Sequence, residues 1–192
     1  LIKALFKFSK DIPDGSIVID TTSGKGEYRE LSPFVLPAPP AKCFENLWQY
    51  SKVYNSQIDS KGEPVPSWYG WRERGFTSVQ AHRYPMGKGM IPEYSYWDGQ
   101  HLGYIQARKQ IYIPEYSKNV SKTESYHKLD YLYQECLGLN RHLILLDYDA
   151  YDHQGFGMTL KDVVHNPNRK MGHAFVLLIM LTNQLKECLT EW

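Results

Sequence analysis

The chain has 192 residues, a length that fits one domain or one domain with a large insertion. With 42% hydrophobic and 22% charged residues, global disorder is excluded, and 22 Lys plus Arg against 21 Asp plus Glu exclude the basic excess of a dedicated duplex-DNA binder. The longest unbroken apolar run, Ala174 to Leu181, is eight residues, far short of the ~20 a membrane span needs.

No basic-then-apolar segment opens the chain, which argues against export. Three cysteines, Cys43, Cys136 and Cys188, are an odd number without a C-x-x-C pair. That usage points to a reducing, cytoplasmic setting and away from a disulfide framework or a cysteine metal site. Fifteen tyrosines and five tryptophans are the unusual feature. Amphipathic rings at this density suit a wet pocket for flat ligands.

In chain order, Leu1 to Lys10 spaces its apolar residues as a short helix would, and Ser16 to Asp20 reads as a buried strand behind the Pro13-Asp14-Gly15 turn. Leu31 to Pro40 carries four prolines and is expected to run extended. Phe44 to Tyr54, free of Gly and Pro, predicts the first clear helix. Residues 55–95 are rich in proline and glycine and read as an insertion or as short strands and turns. Gln100 to Gln110 suits a helix and Gln110 to Ile113 a short strand. Ser117 to Cys136 suits one helix, His142 to Tyr148 a second buried strand, and residues 149–170 a polar connector. Gly172 to Leu189 reads as an apolar core helix. The expected fold class is α+β, a mostly helical single domain over residues 1–192 with a small sheet.

On the first helix, Glu45, Trp48, Gln49 and Lys52 stand at i, i+3, i+4 and i+7 and share a face, with Glu45 and Lys52 about two turns apart. The carboxylate can donate or accept a proton, the indole can stack on a base, and the amide can read an edge. The amine can hold a phosphate or attack a carbonyl carbon. The bland alternative is a solvated helix face with Trp48 tucked under a loop.

Leu31-Ser32-Pro33-Phe34, a ten-residue spacer, and then Glu45-Asn46-Leu47-Trp48-Gln49-Tyr50-Ser51-Lys52 resembles the entry motif of the NADAR family of YbiA-like proteins. The order, the helical spacing and the Glu, Gln and Lys match. Pro33 stands where the family usually has Asn, and Asn46 where it usually has His. Tyr96-Trp97-Asp98-Gly99 and Met171-Gly172-His173 resemble later family segments more loosely, and residues 55–95 have no counterpart.

The resemblance implies a NADAR-like fold and cleavage of an N-glycosidic bond in a nucleoside, a nucleotide or an ADP-ribosylated base. The partner would be a nucleotide or ADP-ribose-type ligand, or nucleic acid carrying a modified base, with no cofactor and no membrane. Such bonds break through an oxocarbenium-like state that a carboxylate can stabilise, and a lysine can capture the sugar as an imine. Glu45, Lys52 and Asp98 are the catalytic candidates. Ser32, Phe34, Asn46, Trp48, Gln49 and Trp97 are the candidates for substrate contact. A non-catalytic nucleotide or single-stranded nucleic-acid module, or a base-modifying transferase, would use the same pocket.

Other features carry weaker chemistry. Arg83, with Arg72, Arg74 and Lys88, makes residues 72–88 locally basic, suited to a polyphosphate or a nucleic-acid backbone. Arg108 could clamp a phosphate, and His173 stands where a helix start could meet an anion. Gly24-Lys25-Gly26 and Gly87-Lys88-Gly89 match no phosphate-loop pattern. The strand ending in Asp147-Tyr148-Asp149 resembles the opening of a haloacid-dehalogenase-type phosphatase but lies too late in the chain for that fold's partner motifs. The histidines show no metal-ligand spacing, so no metal is expected.

Overall fold

The computed structural model describes residues 1–191. In chain order its elements are β1 (Ile2–Phe6), β2 (Ile17–Asp20), α1 (Phe44–Gln49), β3 (Lys52–Val53), α2 (Pro66–Thr77), β4 (Tyr94–Trp97), β5 (Gln100–Leu102), α3 (Tyr104–Ala107), α4 (Ile113–Val120), α5 (Glu124–Gly138), β6 (Leu143–Asp147), α6 (Leu160–His165), α7 (His173–Leu181) and α8 (Leu185–Leu189). A π-helical turn, Arg108–Tyr112, joins α3 to α4. The class is α+β with helix dominant and two small sheets. The chain gathers into two compact units, one made of residues 1–32 with residues 116 onward, the other of Pro33–Glu115. No helix among the described residues is long and apolar enough to cross a membrane.

The first unit is built on the parallel sheet β1-β6-β2. Central β6, Leu143-Ile144-Leu145-Leu146-Asp147, reads as a continuous apolar run because both of its faces are covered. The segment expected to open the chain as a helix is strand β1. Its apolar spacing suits either state over so short a stretch, and pairing of Ala4 with Leu145 in the buried sheet decides the matter. Helix α7 packs on β1 and β6 and buries every residue except Met180.

The long helices expected on either side of β6 are each divided, and caps do the dividing. Thr123 ends the run from α4 and accepts the Tyr126 amide at 3.1 Å to start α5. The Thr182 hydroxyl bonds back to the Leu178 carbonyl at 2.6 Å, and Asn183 takes a left-handed φ of 59°, which stops α7 before α8. The connector over residues 149–170 contains α6, opened by a reciprocal Thr159–Asp162 capping box.

The second unit holds α1, α2, α3 and the antiparallel sheet β3-β4-β5. Asp98 and Gly99, at φ 49° and 73°, form the two-residue turn between β4 and β5, as a type I′ hairpin requires. The helix expected from Gln100 therefore begins only at Tyr104, and the strand expected over Gln110 to Ile113 is helical. The proline- and glycine-rich stretch folds its middle into α2, with Pro66 at the first helical position, where a missing N–H costs nothing. Trp68 and Phe76 are its buried face, and Gly75 lets the Tyr50 ring approach so closely that a Cβ would collide with it.

Candidate functional site

Helix α1 is shorter than the sequence suggests. It ends at Gln49, and Ser51 turns its amide and hydroxyl onto the Trp48 carbonyl, the latter at 2.7 Å. The Ser51 carbonyl then accepts the Tyr96 amide, and Lys52 pairs with Ser95. Strand pairing wins over another helical turn, so Lys52 belongs to β3. Its side chain still reaches back to the helix.

The result is a polar relay along one half-buried edge. Lys52 Nζ donates to Gln49 Oε1 at 3.1 Å, and Gln49 Nε2 donates to Glu45 Oε1 at 3.4 Å. The amide lies between the amine and the carboxylate and is itself 8% exposed. Lys52 Nζ also sits 5.1 Å from the Trp48 ring centroid, within cation–π range. Trp48 in turn meets the edge of Tyr112 at 5.0 Å.

Directly paired residues of a sheet share a face, and every second residue returns to it. Lys52, Ser95, Trp97 and Leu102 therefore occupy one face of β3-β4-β5. Trp48 and Trp97 both pack on a small core of Leu102, Ala107 and Ile111. Glu45, Trp48, Gln49, Lys52 and Trp97 are thus brought to one side of the second unit, with exposed Asp98 in the turn that follows Trp97. The first amides of α1 tie the proline-rich segment to this edge. Glu45 N donates to Pro33 O at 3.0 Å and Phe44 N to Leu36 O at 2.8 Å.

Other sequence candidates do different work. Asn46 is fully buried, its Nδ2 bonded to the Gln80 carbonyl and its Oδ1 to the His82 amide, both at 2.8 Å. It anchors a loop and cannot read a base edge. Arg108 is 2% exposed and lies over the Tyr104 ring at 4.6 Å, an inward position unlike that of a surface phosphate clamp. Arg83 sits over Tyr84 at 5.4 Å. Phe34 is exposed, while Ser32 and His173 belong to the first unit.

His173 is part of a buried network at the carboxyl ends of β2 and β6. Its Nδ1 faces Asp147 Oδ2 at 3.2 Å, and its Nε2 faces the Thr21 hydroxyl at 2.8 Å and the Thr21 carbonyl at 2.9 Å. Asp147 also accepts the Ala174 amide at 3.0 Å, a carboxylate held at the start of α7. All three side chains are at most 4% exposed, so the trio braces the sheet against the helix. Neither Asp147 nor Thr21 is a residue the sequence singles out for this, because both partners of His173 are distant in the chain. The tie between Trp68 and Lys52 was also beyond the reach of local pattern. Trp68 Nε1 donates to the Lys52 carbonyl at 3.0 Å, which fixes the relay strand from behind.

Among the described residues no group of three or more His, Cys, Asp or Glu is arranged to hold a metal ion. No protein family, curated protein or solved structure with which the chain was compared matches it.

Proposed function

We propose that the protein cleaves an N-glycosidic bond between a sugar and an aromatic base, with the Glu45–Gln49–Lys52 edge as the reacting face. The observation that carries this reading is the relay itself. An acid and an amine are held on one half-buried edge through an amide, beside one indole and on the same sheet face as another. Trp48 and Trp97 offer surfaces on which a flat base can stack. Glu45 is the group that protonates the departing base nitrogen or stabilises positive charge at C1. Lys52 either holds a phosphate or attacks C1. In the second case the C1–N bond to the base breaks as the C1–Nζ bond forms, the sugar ring opens to an imine, and water then releases the sugar. Gln49 keeps donor and acceptor in register between the two. The resemblance to YbiA-like proteins in the same two sequence blocks supports the choice of bond. Pro33 and Glu45, one from each block, are joined by a backbone hydrogen bond.

The test is release of product from three substrates, DNA carrying ADP-ribosylated guanine, NAD⁺ and a ribosylamino-pyrimidine phosphate. Turnover of any one that falls about 100-fold or more in Glu45→Gln is the expected result. Borohydride should trap a sugar on the wild-type protein, but not on Lys52→Ala, if the amine attacks. Saturable binding of these compounds without turnover would replace the glycosidase with a binding module.

A further inference from the structure

A groove of about 390 Å³ opens between α2 and the tip of the β4–β5 hairpin, lined by Arg72, Glu73, Phe76, Tyr96, Trp97 and Asp98 among others. That volume falls in the range of small-ligand sites. Arg72 dominates its chemistry. The guanidinium carbon stands 4.8 Å from the Trp68 ring centroid, 5.3 Å from Tyr69 and 5.8 Å from Phe76, so three rings surround the head. Trp68 is fully buried and cannot move aside.

The Nε–H of this head is buried and finds no acceptor among the described residues. A buried donor left unsatisfied costs free energy that an incoming oxygen would recover. Exposed Glu73 and Asp98 line the same groove, yet neither pairs with Arg72. A planar fork that is oriented, partly dehydrated and unmatched by a nearby carboxylate is built for an external oxyanion.

We propose that this groove binds a flat ring carrying one terminal oxyanion, a phosphate monoester or a carboxylate, with Arg72 as the anchor. Tyr96 provides the aromatic wall for the ring, and Trp97 lines the groove's edge. Glu73 and Asp98 accept from hydroxyl or amino groups of the ligand, and their charge disfavours a polyanion. Residues 72–88 therefore hold a single anionic group here in place of the polyphosphate their basic composition suggests. The site borders the proposed reacting edge through Trp97 and Asp98 but uses neither Glu45 nor Lys52, so loss of turnover and loss of anion binding are separable.

Titration of the full chain with AMP, adenosine, ADP and benzoate tests this, followed by tryptophan fluorescence and by amide NMR shifts at Gly99 and the Trp97 indole. AMP or benzoate, or both, should saturate and shift Gly99 and Trp97. Which of the two does so identifies the phosphate or the carboxylate as the natural group. Adenosine should bind AMP's site about 10- to 100-fold more weakly, and Arg72→Lys should lose affinity by a similar factor because it keeps the charge but not the fork. Arg72→Met, which preserves the packing on Trp68, should lose it as well, with an unchanged thermal midpoint reporting intact folding. Glu45→Gln should bind AMP as wild type does, whatever its turnover. Equal affinity for adenosine and AMP, tighter binding of ADP than AMP, unchanged affinity in Arg72→Lys, or absence of shifts at Gly99 with every probe each overturns the proposal.

Discussion

Replacing Asp147 by alanine removes a side chain that ties β6 to the start of α7. Its carboxylate accepts from Ala174 N at 3.0 Å and from Asp149 N at 3.4 Å, and it faces His173 Nδ1 at 3.2 Å, all while 4% exposed. Truncation leaves a buried amide and a buried imidazole nitrogen without their oxygen. Each orphan costs about 1–3 kcal/mol, and breaking a buried pair by deleting one partner costs about 3–5 kcal/mol by direct comparison. The two routes agree on about 4 kcal/mol. For a chain of this size that corresponds to a thermal midpoint lower by about 8–16 °C. Urea titration followed by near-UV circular dichroism reads the change. Asp147→Asn, which keeps an oxygen for Ala174 N, should fall between alanine and wild type. Asp130→Ala on the exposed face of α5 should stay within about 0.5 kcal/mol of wild type. An Asp147→Ala protein within about 1 kcal/mol of wild type would refute the bracing role and the importance of the His173 contact.

Burial holds His153 below the usual histidine range, with Asp152 pulling it partly back up. The unfolded chain then takes up a proton near pH 6.5 before the folded one does, so this contribution is complete above about pH 6.5 and is lost as pH falls toward the folded value. Urea midpoints measured between pH 7.5 and 5.5 should decline in wild type and decline less in His153→Gln. All three cysteines are buried, and burial pushes each thiol up, Cys188 to about 11. A disulfide reagent at pH 8 should therefore label none of them until denaturant is added. In the hairpin turn, Asp98→Asn should leave stability unchanged, because asparagine accepts a left-handed φ. Gly99→Ala at φ 73° should cost about 1 kcal/mol by urea titration. A loss of turnover in Asp98→Asn at wild-type stability would identify work for the carboxylate beyond the turn.

Much of the frame is legible from local pattern. Strand β6 announces itself as a short unbroken apolar run, and α7 as a segment apolar on every side, because each is covered from all directions. The rest depends on partners the chain reaches only by folding. Strand β1 carries a spacing that fits either state, and parallel pairing with central β6 decides it. The hairpin was in view in Asp98-Gly99, the preferred pair for a type I′ turn, but the apolar alternation around it is weak and the helix signal beyond it is strong. Helix α2 was hidden by prolines and glycines that serve as an N1 residue and as a close-approach site, positions where such residues belong.

The same distinction governs the candidate site. Spacing on a helix grouped Glu45, Trp48 and Gln49 on one side, as the helix itself places them. It also placed Lys52 on that helix, whereas the residue lies in β3. The lysine backbone is held by Ser95 in the sheet and by the Trp68 indole on its carbonyl, both remote in sequence, and only its side chain answers to Gln49. An amine mounted on a separate, doubly anchored strand keeps its position when the helix end frays, since the last turn of a six-residue helix is its least stable part. Asn46 shows the converse. Its place on the motif suggested a reader of bases, whereas its amide is consumed at both ends by the loop at Gln80 and His82. Residues on one helix thus divide between a face that packs and an edge that stays half open. The proposed chemistry is assigned to that edge because there an acid, an amide and an amine meet side by side without being sealed into the core.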